Sequence, residues 1–135
     1  MCCRRRTRHA REAPRVVSLS LLDLTTWLSQ SPANVYVGGP IRGQHPGSIL
    51  DNWITFRMSK SELPVGASYV EIWEHSLREF RSICVVDSDI MTEISNLENK
   101  TIGCFCTAEM QRARLCHATV LRDIFIEYFQ KPHQD

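Results

Sequence analysis

Four residues in the last third of the chain carry side chains that can bind a metal ion or act as nucleophiles: Cys104, Cys106, Cys116 and His117. The first two form a Cys-x-Cys pair, and the last two are adjacent. Three thiolates and one imidazole match the ligand set of a closed structural zinc site. These four residues are therefore candidate metal ligands, and zinc is the metal that they favour.

The spacing of the four residues leaves other interpretations open. Zinc ribbons and knuckles use Cys-x-x-Cys turns, whereas a Cys-x-Cys pair on a strand holds its sulfur atoms farther apart unless the backbone bends. Adjacent Cys116 and His117 at a helix start are expected to point in different directions. Cys104 or Cys106 can instead pack as a small hydrophobic side chain. A disulfide is not favoured, because the chain shows no secretion signal.

Catalysis is a third interpretation, with Cys116 as the nucleophile and His117 beside it. A thiol in the first turn of a helix has its thiolate favoured by the helix dipole and by an adjacent imidazolium. Backbone N–H groups at a helix N-terminus also bind anions. Arg112 and Arg114, in the loop before this helix, can add positive charge. The arrangement of a loop with two arginines before a helix N-terminus therefore favours a ligand that bears phosphate, either a nucleotide or a nucleic acid.

A strand, a loop and a helix must position these side chains. The alternating pattern of residues 100–106 predicts a strand that ends in the two cysteines, both on one face. Residues 107–115 are expected to form a loop. Apolar residues at helical spacing over 120–129 predict an amphipathic helix that begins with the Cys-His pair and stops before Pro132.

The rest of the chain alternates between predicted strands and helices. Strands are expected at 16–19 and 34–37, helices at 21–28, 49–58, 69–80 and 90–97, a loop at 60–66, and either a strand or a buried connection at 83–86. This alternation predicts an α/β fold with a small, largely parallel sheet flanked by helices. A ligand is then expected beyond the carboxyl ends of the strands, with Gly38 and Gly39 at the same edge as the cysteines.

Charge divides the chain into two parts. Residues 1–15 contain six arginines and one glutamate, a net charge of +5, which leaves −4 on the remainder because the whole chain carries +1. We expect a disordered basic arm over residues 1–15 and a single domain over 16–131. The arm is expected to be solvated, with nuclear targeting or attraction to nucleic acid as a second interpretation and membrane attachment through Cys2 and Cys3 as a third.

Neither a signal peptide nor a transmembrane segment is expected. The basic start of the chain has no apolar run that could form a secretory core. The apolar stretch over residues 19–28 is too short to span a bilayer. The sequence therefore predicts an intracellular protein, in the cytoplasm or the nucleus.

Several segments resemble the domain of unknown function 4326 family, which is found in bacteria, phages and large DNA viruses of animals. The matching segments are Val-Tyr-Val-Gly at 35–38, Tyr69 in a helix, Lys-Thr-Ile-Gly-Cys-Phe-Cys at 100–106, and Cys-His-Ala-Thr-Val-Leu at 116–121. The Cys-x-Cys strand combined with the Cys-His helix is the specific part of the resemblance, which covers roughly residues 16–129.

The chain departs from the family's pattern in four places, one of which is a longer loop over residues 107–115. The family's arginine after the strand glycine is Gly39 here, its Gly-Asn-Pro element is replaced by Gly-Gln-His-Pro at 43–46, and Phe105 stands where tryptophan is usual. Arg42 is a candidate substitute for the missing arginine. The ligand-binding residues expected from the resemblance and from the anion-site interpretation are Gly38, Gly39, Arg42, Tyr69, Arg112 and Arg114.

Three functions follow from these patterns. The first is binding of a nucleotide or nucleic acid at the Cys/His junction. The second is a zinc-stabilised interaction module of viral origin that engages a host or viral protein. The third is a nucleotide-processing enzyme that uses Cys116.

Overall fold

A small parallel sheet forms the centre of the structure. The computed structural model describes residues 11–19, 23–51, 53–106, 108–112 and 116–130, and the side chains of 53–57 and 108 are not described. The elements in chain order are β1 (Arg15–Ser18), α1 (Leu24–Gln30), β2 (Asn34–Tyr36), α2 (Trp53–Glu62), α3 (Tyr69–Val86), α4 (Ser88–Ser95), β3 (Thr101–Cys104), α5 (Ala108–Arg112), α6 (His117–Phe125) and a π-helical turn (Ile126–Gln130). The predicted α/β class and the parallel sheet are confirmed.

The last strand in the chain is the middle strand of the sheet. β3 pairs in parallel with β1 on one side and β2 on the other. Ser18 lies opposite Cys104, and Tyr36 lies opposite Gly103. The carboxyl ends of all three strands therefore reach the same edge, where ligand sites of parallel sheets form.

Helices cover both faces of this sheet. Val16 and Val35 pack into the larger hydrophobic core, which Ile102, Phe80, Leu121 and Phe125 help to form on one face. Val17 and Tyr36 point the other way and pack into a smaller core around Leu19, Leu24 and Trp27. This division follows from the alternation of side chains along a strand.

Helices α2 and α3 are longer at their carboxyl ends than the sequence predicts. α3 begins at Tyr69 as expected but runs to Val86, so the predicted strand or connection at 83–86 is wrong. Leu77, Phe80 and Cys84 are buried at helical spacing, and this continuous stripe keeps the helix intact. α2 ends at Glu62, inside the predicted loop at 60–66.

The first described residues belong to the fold. Arg11 donates a hydrogen bond from Nη2 to the carbonyl oxygen of Ser95 at 2.6 Å and pairs with Glu98. Pro14 is fully buried, and its carbonyl oxygen accepts a hydrogen bond from Arg122 at 3.1 Å. The predicted boundary of the disordered arm at residue 15 is therefore wrong, and residues 1–10 of that arm lie outside the described residues.

The region after β3 contains more helix than expected. Residues 107–115 were predicted as a loop, and within them α5 forms a short helix. The predicted C-terminal helix is confirmed, although its last residues, 126–130, form a π-helical turn. Within the described part of the chain, no helix has the length and apolar character needed to cross a membrane.

Candidate metal centre and adjoining pocket

The four predicted metal ligands come together at the carboxyl edge of the sheet. The ligand atoms of Cys104, Cys106, Cys116 and His117 all lie within 4.8 Å of one another. Four ligands arranged tetrahedrally around zinc, with Zn–S bonds of about 2.3 Å, would place their sulfur atoms about 3.8 Å apart. The cluster therefore has the dimensions of a site for a single small ion.

A bend after β3 allows both cysteines of the Cys-x-Cys pair to face the cluster. The strand ends at Cys104, and residues 105–106 turn out of it. Ser18 holds the bend, because its hydroxyl donates a hydrogen bond to the carbonyl oxygen of Cys106 at 2.6 Å. Phe105 turns outward and remains 42 % exposed. The separation expected for two cysteines on a regular strand therefore does not arise here.

The helix boundary brings Cys116 and His117 to the same cluster. Cys116 is the N-cap of α6 and has an extended backbone, with φ −118° and ψ 134°, whereas His117 is the first helical residue. The change in backbone conformation between them redirects the second side chain. The prediction that these neighbours would point apart is therefore wrong.

The imidazole of His117 is oriented by the backbone and keeps one nitrogen for the cluster. Its Nε2 lies 2.6 Å from the carbonyl oxygen of Val37, and since a carbonyl only accepts, Nε2 must carry the proton and donate. Nδ1 is buried and has no hydrogen-bond partner. Leaving such an atom unsatisfied costs about 1–3 kcal/mol. A metal ion at Nδ1 would satisfy it, and histidine ligands commonly donate their other N–H to a carbonyl in this way.

The three thiols of the cluster form one hydrogen-bonded group. The Sγ atoms of Cys104 and Cys116 are 2.9 Å apart, well beyond the length of a disulfide bond, and both cysteines are free. Hydrogen bonds from Cys106 and Cys116 lower the pKa of Cys104 to about 3. The bond to Cys104 raises the pKa of Cys116 to about 12 and also raises that of Cys106. The pKa of each thiol in the cluster therefore depends on its hydrogen bonds to the other two.

The predicted catalytic pair is poorly placed for nucleophilic chemistry. Cys116 is fully buried, and it does not line the adjoining pocket. His117 is 3 % exposed and donates to Val37. This geometry favours metal binding over the catalytic role predicted for Cys116 and His117.

A pocket of about 320 Å³ opens beside the cluster. Two of its walls are formed by the end of β2 and by the residues that follow β3. Both segments carry the family resemblance. Predicted ligand-binding residues Gly38, Gly39 and Tyr69 all line it. The complete lining is Tyr36, Gly38, Gly39, Asp51, Tyr69, Trp73, Cys104, Phe105, Cys106, Met110 and His117.

The paired glycines let the Tyr36 ring fold back over the chain. A Cβ atom at Gly38 would lie 2.5 Å from the Tyr36 hydroxyl and 2.7 Å from the nearest ring carbon. That hydroxyl donates a hydrogen bond to the carbonyl oxygen of Gly39 at 2.6 Å. A Cβ at Gly39 would lie 3.2 Å from the Asp51 carboxylate. Glycine at these positions therefore leaves room for Tyr36 and Asp51 to shape the pocket.

The predicted arginines are not brought into the pocket. Arg42 is exposed in a turn closed by the Ile41–His45 bridge, and Arg112 is exposed at the end of α5. Arg114 lies outside the described residues. The described residues that line the pocket include no lysine or arginine, and Asp51 is acidic. The position of the pocket therefore gives no support to the expectation that Arg42 and Arg112 bind a ligand, which stays a prediction.

Sequence reasoning missed several residues of this pocket. Trp73 lies one helical turn after Tyr69, so the i, i+4 spacing could have revealed it. Asp51 and Met110 come from a loop and a short helix that no local pattern connects to the cysteines. Only the assembled fold brings them together.

The residues that resemble the domain of unknown function 4326 family meet in one place. Tyr36, Gly38 and Tyr69 line the pocket, and Cys104, Cys106, Cys116 and His117 form the cluster beside it. Comparisons with models of protein families, with curated proteins and with solved structures found no match. The family resemblance therefore stays a prediction. The proposals about metal and ligand binding are based on the geometry of the site instead.

Proposed function

We propose that this protein binds a zinc ion through Cys104, Cys106, Cys116 and His117, and that the zinc centre fixes one wall of a pocket for a small ligand. The observation that carries the proposal is the buried Nδ1 of His117, which has no hydrogen-bond partner and belongs to a residue grouped with three thiols. A buried polar atom without a partner is unfavourable unless a ligand satisfies it.

The donor set favours zinc over harder metal ions. Thiolates and imidazole suit zinc, whereas magnesium and calcium prefer oxygen ligands. Four protein ligands would close the coordination sphere, which is the pattern of a structural site rather than a catalytic one. Zinc would join the end of β3, the bend that follows it and the start of α6. Three of the ligands, Cys104, Cys106 and His117, line the pocket as well.

Metal analysis of the purified full-length chain tests this proposal. We expect about one equivalent of zinc in protein prepared without chelator, and a lower melting temperature after chelation, because metal binding contributes to folding free energy. Cobalt in place of zinc should give the intense absorption of a tetrahedral thiolate site.

Two single-cysteine variants make the test specific. Cys106→Ser replaces the ligand that is only half-buried and should lower metal content and cobalt absorption. Cys84→Ala is the matched control, because Cys84 is a fully buried cysteine outside the cluster, and it should retain both signals. Folded wild-type protein without zinc that gives no thiolate absorption with cobalt would contradict the proposal. Equal loss in both variants would also contradict it.

A further inference from the structure

Four aromatic side chains line the pocket beside the cluster. Tyr36, Tyr69, Trp73 and Phe105 supply four rings. The rings of Tyr69 and Trp73 are parallel within 2°, with centroids 6.2 Å apart. Tyr36 and Phe105 meet edge to face at 5.9 Å. Aromatic faces at a pocket offer a stacking surface for a planar ligand, since every nucleobase has a π-face.

Two of these aromatic side chains are unusually open to solvent. Tyr69 is 61 % exposed and Phe105 is 42 % exposed, although both line the pocket. Burial of aromatic surface is favourable at roughly 25 cal/mol per Å². A planar ligand stacked on these rings would remove part of that surface from water, so the pocket is suited to a ligand with a flat apolar face.

The carboxylate of Asp51 gives the pocket a charged hydrogen-bond acceptor. The charge of Asp51 also acts on Tyr36. Burial and, after it, this neighbouring charge raise the pKa of Tyr36 to about 12. A carboxylate has about four lone-pair sites, so it can accept from a ligand in addition to protein groups. The cluster adds sulfur atoms, and the described lining residues include no lysine or arginine. A phosphate group would be repelled here, whereas N–H and O–H donors would be attracted.

We propose that this pocket binds a free nucleoside, with the base stacked on Tyr69 and with base N–H groups or ribose hydroxyls donating to Asp51. Carboxylates recognise both kinds of donor in other nucleoside sites. The volume of about 320 Å³ is at the lower end of the range for small-ligand pockets, which runs from about 300 to 1,000 Å³. The inference rests on one part of the proposed function, namely that a small ligand occupies the pocket.

Titration of the full-length protein with a defined panel tests the inference. The panel is adenosine, guanosine, cytidine and uridine, their 5′-monophosphates, a short single-stranded oligonucleotide, and choline as a cation without a planar ring. We expect at least one nucleoside to bind, to quench tryptophan fluorescence and to shift amide signals at residues 36–39 and 69–73. Its monophosphate should bind no more tightly.

Two pairs of variants separate pocket contacts from general effects. Tyr69→Ala should weaken the nucleoside at least tenfold, whereas Tyr128→Ala, which removes an exposed tyrosine outside the pocket, should leave binding unchanged. Asp51→Asn should also weaken binding at least tenfold, and Asp89→Asn, at an exposed carboxylate on α4, should not. Both test positions can be checked for folding by thermal unfolding.

Several results would overturn the inference. One is the absence of binding by all four nucleosides to folded protein. A second is binding that requires the 5′-phosphate or the oligonucleotide, and a third is binding of choline alone. A fourth is nucleoside binding that neither Tyr69→Ala nor Asp51→Asn weakens. Zinc content measured on the same sample keeps the two proposals apart. Zinc without a nucleoside contradicts only this inference, and a nucleoside without zinc contradicts only the metal centre.

Discussion

His117 connects three parts of the molecule through a single side chain. Its Nε2 donates to Val37 just beyond β2, and its Nδ1 is left for the cysteine cluster. One edge of the ring also meets Phe80 of α3, with centroids 5.8 Å apart and planes at 83°. The carbonyl oxygen of Val37 requires the proton to be on Nε2, so Nδ1 keeps its lone pair. The backbone just after β2 therefore orients this side chain as a metal ligand.

Gly38 offers a test of the tight approach between Tyr36 and the backbone. Gly38→Ala should destabilise the protein by about 1–3 kcal/mol, because the new Cβ would lie 2.5 Å from the Tyr36 hydroxyl and must displace the ring. Gly39→Ala is the control in the same loop. Its Cβ would lie 3.2 Å from the end of the Asp51 side chain, which needs to move only slightly.

Urea unfolding of the two variants measures this difference. We expect the midpoint of Gly38→Ala to fall clearly below that of Gly39→Ala, with the same slope. Equal midpoints would show that the Tyr36 ring moves away from residue 38 without cost.

At the scale of elements, the start of α3 determines where the Tyr69–Trp73 pair lies. Ser68 caps the helix, and its hydroxyl accepts from the backbone N–H of Glu71 at 3.1 Å. The Glu71 carboxylate accepts in return from the backbone N–H of Ser68 at 2.7 Å. This reciprocal capping box satisfies two backbone donors and fixes the first turn, so Tyr69 is held at a defined position beside the pocket.

Ser68→Ala should cost about 0.5–2 kcal/mol of stability, because it removes the acceptor for the N–H of Glu71. Ser82→Ala is the matched control in the same helix. Ser82 is exposed, and its hydroxyl only donates to the carbonyl oxygen of Arg78, so the change should be close to neutral. Thermal unfolding of both variants gives the comparison. A loss of stability in Ser82→Ala as large as that in Ser68→Ala would contradict the role of the cap.

For the whole molecule, the segment before β1 holds the edge of the sheet against the helices. Arg11 donates to Ser95 at the end of α4, and its guanidinium lies 5.2 Å from the centroid of the Phe125 ring in α6. The backbone N–H of Asn99 donates to the carbonyl oxygen of Glu12 at 3.0 Å. These contacts span more than 80 residues of sequence, and no local pattern in an arginine-rich segment reveals them.

Two truncations test this contribution. Deletion of residues 2–14 should destabilise the protein by more than about 2 kcal/mol, because it removes the buried Pro14 and the hydrogen bonds of the charged Arg11. Deletion of residues 2–10 leaves all these contacts in place and should change stability by less than about 0.5 kcal/mol. Chemical unfolding of both proteins measures the difference. Equal stability of the two truncated proteins would show that residues 11–14 contribute little.

Local sequence patterns were sufficient for the fold class and for the identity of the cysteine cluster. The predicted strand over 100–106 and the predicted helix from the Cys-His pair both have clear periodicities. The helix is confirmed, whereas the strand ends at Cys104, two residues earlier than predicted. Parallel strands then place their carboxyl ends at one edge, so the four ligand-type residues were expected near that edge before any coordinates.

The tertiary structure alone decided the geometry and the lining of the site at this edge. The four ligand-type residues converge for three reasons that their spacing does not reveal. These are the bend at residues 105–106, the extended backbone of Cys116 and the hydrogen bond between His117 and the carbonyl of Val37. Asp51 and Trp73, rather than the expected arginines, line the pocket, and this lining is the basis for the proposal of a ligand with N–H or O–H donors. Periodicity specifies elements because it acts over a few residues, whereas the character of a pocket depends on side chains from segments far apart in the chain.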